Sequence, residues 1–380
     1  MKHPHSLPDP AAVIAGALRD PIGATAISMD IDPASLLSAA LRHRVLLLLG
    51  WTLRAAGTFA DWPQEFIDEF QRAERDAVVV DCVRHTELMT VLSNLSEASV
   101  HVLVFKGAAL AHTHYPAPHV RVRADTDLLV PASELPVLEA VLGRLGYVRP
   151  PETAGRLVSY QSHYHKIDQY GVTHAFDVHW RISNVQTLAN RLSWQELWDS
   201  RNPLAALGPS ACAIDDVHAL VVALVHRAGH HPGSRNLLWL YDLHLLASRL
   251  SPLQVSQVQK IAAARGLGRI AAEGLAAARD WFGDDAADPI VDTLRTQSAT
   301  PDEAIVVQGP WTQARLLRLD LEALPDWRTR GRLIREHLLP STSYMRARYG
   351  VRSNLLLPGL YLWRVLHGVP KWLRSHRGEE

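Results

Sequence analysis

Cysteine is nearly absent from this 380-residue chain, which carries only Cys82 and Cys212. They stand far apart and match neither a disulfide framework nor a Cys-x-x-Cys metal site, so a reducing, cytoplasmic compartment is expected. A net charge is missing too, since 39 basic side chains balance 39 acidic ones. No global field therefore favours nucleic acid or an acidic membrane surface. Long apolar runs are lacking: Val45–Leu49 and Leu355–Leu357 fall far short of the ~20 residues that span a bilayer. The opening MKHPHSLPDP has no apolar centre of the kind a secretory leader needs. Lysine is scarce as well, with Lys2, Lys106, Lys166, Lys260 and Lys371 set against a large majority of arginines. Arginine suits flat bidentate pairing, and lysine offers a compact charge to a phosphate, so a lysine at an apolar-to-glycine junction stands out. Lys106 is one.

What remains is an ordinary globular composition, 47% apolar and 21% charged, long enough for more than one packed unit. Residues 1–30 are Pro-rich and read as a loose arm with one short helix. Helical spacing runs from Pro33 to about Ser96, with Asp30 or Asp32 as a cap and Asp61 with Pro63 opening a further helix. The stretch from Arg72 to Leu95 reads as one long helix with Val78, Cys82, Leu88, Val91 and Leu95 on one face. The texture then turns to β. VHVLVF (100–105) predicts a strand, GAALAHTHY a small helix, DTDLLV a second strand, and Glu134 to Leu145 a helix capped by Ser133 and ended by Gly146. A hairpin follows, turning at Gln169-Tyr170-Gly171 and returning along Ala175 to Trp180. From about Thr187 to Trp281 the pattern is helical, with breaks at Pro203, Pro209, Pro232 and Gly266–Gly268, and beyond Trp327 it is basic. The expected organisation is an N-terminal arm and helical segment (1–97), an α/β core with at least four strands (98–185), a helical acceptor domain (186–300) and a basic helical segment (301–380). That last segment is expected to pack on the core, or else to meet an acidic partner or a membrane surface.

Side chains alternate along a strand, so Asp125 and Asp127 share one face while Thr126 and Leu128 take the other. Two carboxylates about 7 Å apart on one face repel unless a cation separates them, and Mg²⁺ takes carboxylate oxygens together with substrate phosphates and water. A third acid, Asp177, shares a face with His179 on the later strand, between the core residues Phe176, Val178 and Trp180. Brought beside Asp125 and Asp127, it would complete a three-carboxylate site able to activate an attacking oxygen and steady a leaving phosphate. Lys106 and Gly107 sit where a strand gives way to a helix, whose free N–H groups form a natural phosphate seat. By itself an Asp-x-Asp is more often a solvated strand edge, and the three features together move the balance toward function.

In this order, FKGAALA…Y…R…DTDLLV…LGY…DVHW resembles a little-characterised bacterial nucleotidyltransferase family with Leu-Lys-Gly-x-x-Leu followed by Arg-x-x-Ser-Asp-Ile-Asp-Leu-Leu-Val. Lys106, Gly107, Leu110 and Tyr115 match the first part, and Arg121, Asp125, Asp127, Leu128, Leu129 and Val130 the second. Gly146-Tyr147, then Asp177, His179 and Trp180, and then Trp239, Leu240, Asp242 and Leu243 match further positions, so the likeness covers roughly residues 40–280. It implies an α+β fold, a small mixed sheet flanked by helices, with helical N- and C-terminal segments. It also implies Mg²⁺ (or Mn²⁺) held by Asp125, Asp127 and Asp177, with ATP or another NTP as donor. Lys106, Gly107, Ala108, Arg121 and His179 would then be nucleotide-binding. Ala108 departs from the wider superfamily, which places a serine or glycine after the glycine; Lys106 would replace the lost hydroxyl.

The resemblance implies transfer of an NMP group to an unidentified acceptor (small molecule, saccharide or peptide) with release of pyrophosphate. Two other readings stand beside it: a nucleotide- or partner-binding protein that has lost turnover, favoured by Ala108, and a glycosyltransferase using Asp-x-Asp. Arg235 is a candidate phosphate contact, and Asp242 either a substrate contact or a cap to a neighbouring element. His226 and His230 lie one helical turn apart, but no third zinc ligand follows, so they read as polar helix residues near the cleft. His163 and His165 read as a solvated strand face, and the tryptophans at 194, 198, 239, 281 and 327 as packing residues.

Overall fold

The computed structural model describes residues 9–23, 31–151, 157–283, 288–295 and 313–372. Capping residues start its N-terminal helices. Asp9 accepts the N–H of Ala11 ahead of α1 (Pro10–Arg19), and Asp32 rather than Asp30 caps α2 (Pro33–Arg42). The arm is not loose where it is described, because Ile14 and Ala17 of α1 are fully buried. Helix α3 (Leu46–Ala56) follows, then α4 (Gln64–Glu97), a single 34-residue rod. Its buried face is narrower than the spacing predicts: Leu88, Val91, Leu92 and Leu95 are buried, while Val78 and Cys82 are exposed. The first half of α4 buries Phe66, Ile67 and Phe70 instead. Each such side chain contributes ~1.5–3 kcal/mol when taken from water.

The expected alternation of strands and helices follows. Strand β1 is confined to Leu103–Val104, α5 spans Lys106–Thr113, β2 is Thr126–Leu129, α6 is Leu135–Arg144, and β3 (Gln161–Ile167) and β4 (Thr173–His179) form the hairpin. Ser133 does not cap α6, which begins after Glu134 with no side-chain cap. After α7 (Gln186–Ala189) and α8 (Trp194–Asp199) come two short strands, β5 (Asn202–Pro203) and β6 (Cys212–Ala213), in a region expected to be helical with breaks at Pro203 and Pro209. Pro203 and Pro209 break the helix there, and Pro203 takes an edge position where no ladder N–H is required. The mixed six-stranded sheet runs β3-β4-β2-β1-β6-β5. Strands β2 and β4 are parallel, as are β1 and β6, and the other pairs are antiparallel.

One face of the sheet rests on a core built from Leu92 and Leu95 of α4 and Leu138 and Leu142 of α6, into which Leu128 and Val178 project. The other face looks toward the helices α9 (Asp216–His230), α10 (Leu237–Ser248), α11 (Pro252–Ala264) and α12 (Gly268–Phe282), which share a larger core with α1 to α3. Helix α13 (Asp288–Arg295) packs on α12. The basic segment supplies α14 (Gln313–Ala323), α15 (Trp327–Leu338), α16 (Thr342–Tyr349) and α17 (Leu357–Trp372). It covers part of the molecule: buried Glu336 accepts the N–H groups of Leu157 and Val158. Trp327, expected to pack, is 76% exposed. Among the described residues no single helix is long and apolar enough to cross a membrane.

Asp320 of α14 accepts the N–H of Gln186 at 2.8 Å, and burial pushes its carboxyl up to about 6. A carboxyl whose pKa is raised by folding favours the folded state at acid pH and loses that contribution as pH rises from about 4 through 6. Asp320→Asn is therefore expected to stabilise the protein by about 1–2 kcal/mol at pH 8 relative to its effect at pH 4. Urea unfolding at the two pH values checks this; an equal shift at both would refute it.

Candidate active site

Parallel pairing of β2 with β4 sets Asp127 directly across from Asp177, and Leu129 across from His179. Because side chains alternate, both acids and His179 emerge on the face away from Leu128 and Val178. One ligand atom from each of Asp127, Asp177 and His179 lies within 4.8 Å of the others. Asp125, just before β2, lines the same cavity of about 340 Å³ as Asp127 and Asp177. The cavity lies between the sheet and the helices, with Lys106 to Ala109 on one wall and His226, His230 and Trp239 on another.

Asp127 is held from two sides. Lys106 Nζ donates to its Oδ1 at 2.8 Å and His179 Nε2 at 2.9 Å, while Lys106 Nζ lies 3.4 Å from His179 Nε2. Burial alone would raise the carboxyl, but the Lys106 charge and the His179 hydrogen bond outweigh it and hold Asp127 well below the usual range. His179 is driven the other way, kept neutral by burial and by Lys106 against the pull of Asp127. Asp125 is raised by burial and by repulsion from Asp127 and Asp177, with Lys106 opposing. Across the hairpin, His163 stands opposite Asp177. His163 Nδ1 meets Asp177 Oδ1 at 2.8 Å and Gln161 Nε2 donates to Oδ2 at 3.2 Å. His163 is thus not merely part of a solvated face, and its position follows from the register of the hairpin.

Lys106 adopts φ +52°, a left-handed conformation costly for a residue with a side chain. Such strain persists where the surroundings fix it, and it is concentrated at functional sites. Gly107 meets a different need from the one its motif suggests: a Cβ there would lie 3.0 Å from Arg121 Nη2, so the missing side chain makes room for that guanidinium. Ala108 is buried behind the cavity wall at the start of α5.

Arg121 itself is turned toward the helices. Its Nε and Nη2 donate to the two oxygens of Asp242 at 2.9 and 2.6 Å, Nη1 donates to the Val122 carbonyl, and the Tyr115 hydroxyl donates to Asp242 Oδ1 at 2.7 Å. Burial weakens the hold of Arg121 on its proton, but Asp242 and Tyr115 more than reverse this. Both Asp242 oxygens are therefore engaged within the protein, by Arg121 and Tyr115. Arg235 is placed outside the cavity lining, its guanidinium 5.9 Å from the Trp281 ring centroid.

Residues that sequence reasoning set aside or missed also face the cavity. His226 and His230 stack at 4.9 Å between ring centroids, and His231, stacked on Trp239 at 4.0 Å, continues the shelf. Burial and then Lys106 push His230 down to about 4 and hold His226 well below the ordinary imidazole range, so these two rings are uncharged at neutral pH. Arg44, which carries no motif, completes the rim.

The donor chemistry fits a divalent metal. Asp127, Asp177 and His179 each bring one ligand atom together, and the Asp125 carboxyl, raised by burial and then by its like-charged neighbours, lines the same cavity; this oxygen-rich set suits such ions. Among curated proteins none matches this chain. The sequence profile of an uncharacterised nucleotidyltransferase family matches residues 29–283, well over half of the chain. The chain belongs to that family of transferases, and its α+β architecture with a small mixed sheet agrees with it.

Proposed function

We propose that this nucleotidyltransferase moves an NMP group from an NTP to a hydroxyl-bearing acceptor with release of pyrophosphate, and that it depends on Mg²⁺ or Mn²⁺. The observation that carries this is the parallel register setting Asp127 against Asp177 on the cavity wall, with Asp125 beside them. These three carboxylates would hold the metal, which when bound supplies a Lewis acid to the phosphoryl oxygens. Lys106 and His179 keep Asp127 ionised and fixed in direction. Gln161 and His163 fix Asp177, leaving it placed to accept a proton from the acceptor. Lys106, Gly107 and Ala108 open α5, so its free N–H groups support a phosphate there. The histidine and tryptophan wall offers flat, uncharged faces to a planar group. A cavity of about 340 Å³ suits a small molecule or the end group of a larger one.

Incubation with Mg²⁺, each α-labelled NTP and a panel of small hydroxyl acceptors tests the reading. Pyrophosphate release is expected to vanish with EDTA and to return with added Mg²⁺ or Mn²⁺. Asp177→Asn is expected to lower turnover by about 10²–10³-fold. Binding of UDP-sugars with no binding of any NTP would overturn the proposal in favour of glycosyl transfer.

A further inference from the structure

Five lysine and arginine side chains line the cavity: Arg44, Lys106, Arg121, Arg123 and Arg227. Four of them are neutralised within the protein. Lys106 is paired with Asp127 at 2.8 Å, Arg121 with Asp242 at 2.6 Å, Arg123 with Asp81 at 2.6 Å and Arg227 with Glu273 at 2.5 Å. Arg44 has no hydrogen-bond or ion-pair partner for its guanidinium among the described residues, although it is half-buried. A partly desolvated guanidinium without a counter-ion is costly, and a substrate anion is the usual compensation.

Its backbone adds a second, independent observation. Arg44 closes α2: its N–H reaches the Leu41 carbonyl, the next N–H, of Val45, reaches the Ala40 carbonyl, and Arg44 has φ +59°. This is the left-handed helix-ending position that glycine fills without strain. An arginine is held there at a conformational cost, with its side chain on the cavity. The turn is fastened as well, since the Leu237 N–H donates to His43 Nδ1, tying it to the start of the helix that carries Asp242. Burial and the neighbouring Arg121 weaken its hold on a proton, and Asp125 and Asp242 restore part of it.

We propose that Arg44 binds the non-transferred phosphates of the NTP, the pyrophosphate portion, from the N-terminal helical segment. This rests on the nucleotidyl-transfer reading of the same cavity. A planar fork facing a polyphosphate gives short, charge-assisted hydrogen bonds. Lys106, at the start of α5, is engaged by Asp127, so the outer phosphate charge falls to Arg44.

The test uses the full chain with Mg²⁺ and two probes, an NTP and inorganic tripolyphosphate, with the parent nucleoside as a third ligand. Binding is followed by calorimetry in wild type, Arg44→Gly and Arg44→Lys. Arg44→Gly relieves the left-handed strain, so Tm is expected to hold or rise while affinity for NTP and tripolyphosphate falls at least tenfold. Nucleoside binding is expected to stay within twofold, and Arg44→Lys to recover part of the loss. Equal NTP and tripolyphosphate affinity in wild type and Arg44→Gly would overturn the assignment while leaving nucleotidyl transfer intact. A lowered Tm with unchanged affinity would mark Arg44 as a packing residue and overturn it equally. Failure of the wild type to bind any NTP or tripolyphosphate would instead remove the transfer reading, and the assignment with it.

Discussion

Asp127→Asn is expected to lower nucleotidyl transfer by about a thousandfold or more, equivalent to ~4 kcal/mol of transition-state stabilisation. The substitution keeps the shape of the side chain but removes the charge that Lys106 and His179 both address. An amide is a poor ligand for a hard dication, so both metal retention and the geometry of the reacting phosphate should suffer. The same change leaves the Lys106 ammonium, whose side chain is 14% exposed, without its nearest anion. Breaking a buried pair costs ~3–5 kcal/mol where no other partner is near; Asp125, which also acts on Lys106 across the cavity, should hold the cost below that. Turnover at saturating Mg²⁺ and a melting curve on the same preparation separate the two effects. Retention of a tenth or more of wild-type turnover would sink the role given to Asp127.

Removing the carboxylate at position 242 should be the most destabilising single change to the cavity wall. Asp242→Ala leaves Arg121 buried, with an unopposed charge and two lost hydrogen bonds, and leaves the Tyr115 hydroxyl without its acceptor. A loss of ~3–5 kcal/mol is expected. Arg121→Met combined with Asp242→Leu should recover much of it, since neither charge then remains buried. Denaturant midpoints for the two singles and the double measure this coupling. If Asp242→Ala leaves stability unchanged while KM for the NTP or acceptor rises, Asp242 is a substrate contact and not a tie between elements.

How much of this was legible in the sequence varies by residue, for physical reasons. Strand parity put Asp125 and Asp127 on one face and Asp177 with His179 on another, because a period of two needs no knowledge of neighbours. Parity does not say which strands lie side by side; the pairing of β2 with β4, which sets Asp127 against Asp177, comes from tertiary packing. The His163 contact was available, since a hairpin turning at residues 168–172 fixes its register. Arg121 with Asp242, 121 residues apart, had no local signal. Arg44 had none either: a left-handed helix end is advertised by glycine, and an arginine there hides it. The strands at β5 and β6 were lost among prolines because two-residue strands carry no periodicity.

The placement of Arg121 bears on how little of this chain can act alone. The sheet from Leu103 to His179 carries all three acids, and it looks like a portable catalytic module. Yet its guanidinium at Arg121 is neutralised only by a helix that begins at Leu237, and Gly107 has given up its side chain to let that guanidinium pass. Excised at its strand boundaries, the module would carry a stranded cation beside α5 and an acidic face open to water. Chain from Gly107 through Asp242 is therefore one structural unit, and truncations that respect only the strands would part the Arg121 guanidinium from the carboxylate that neutralises it.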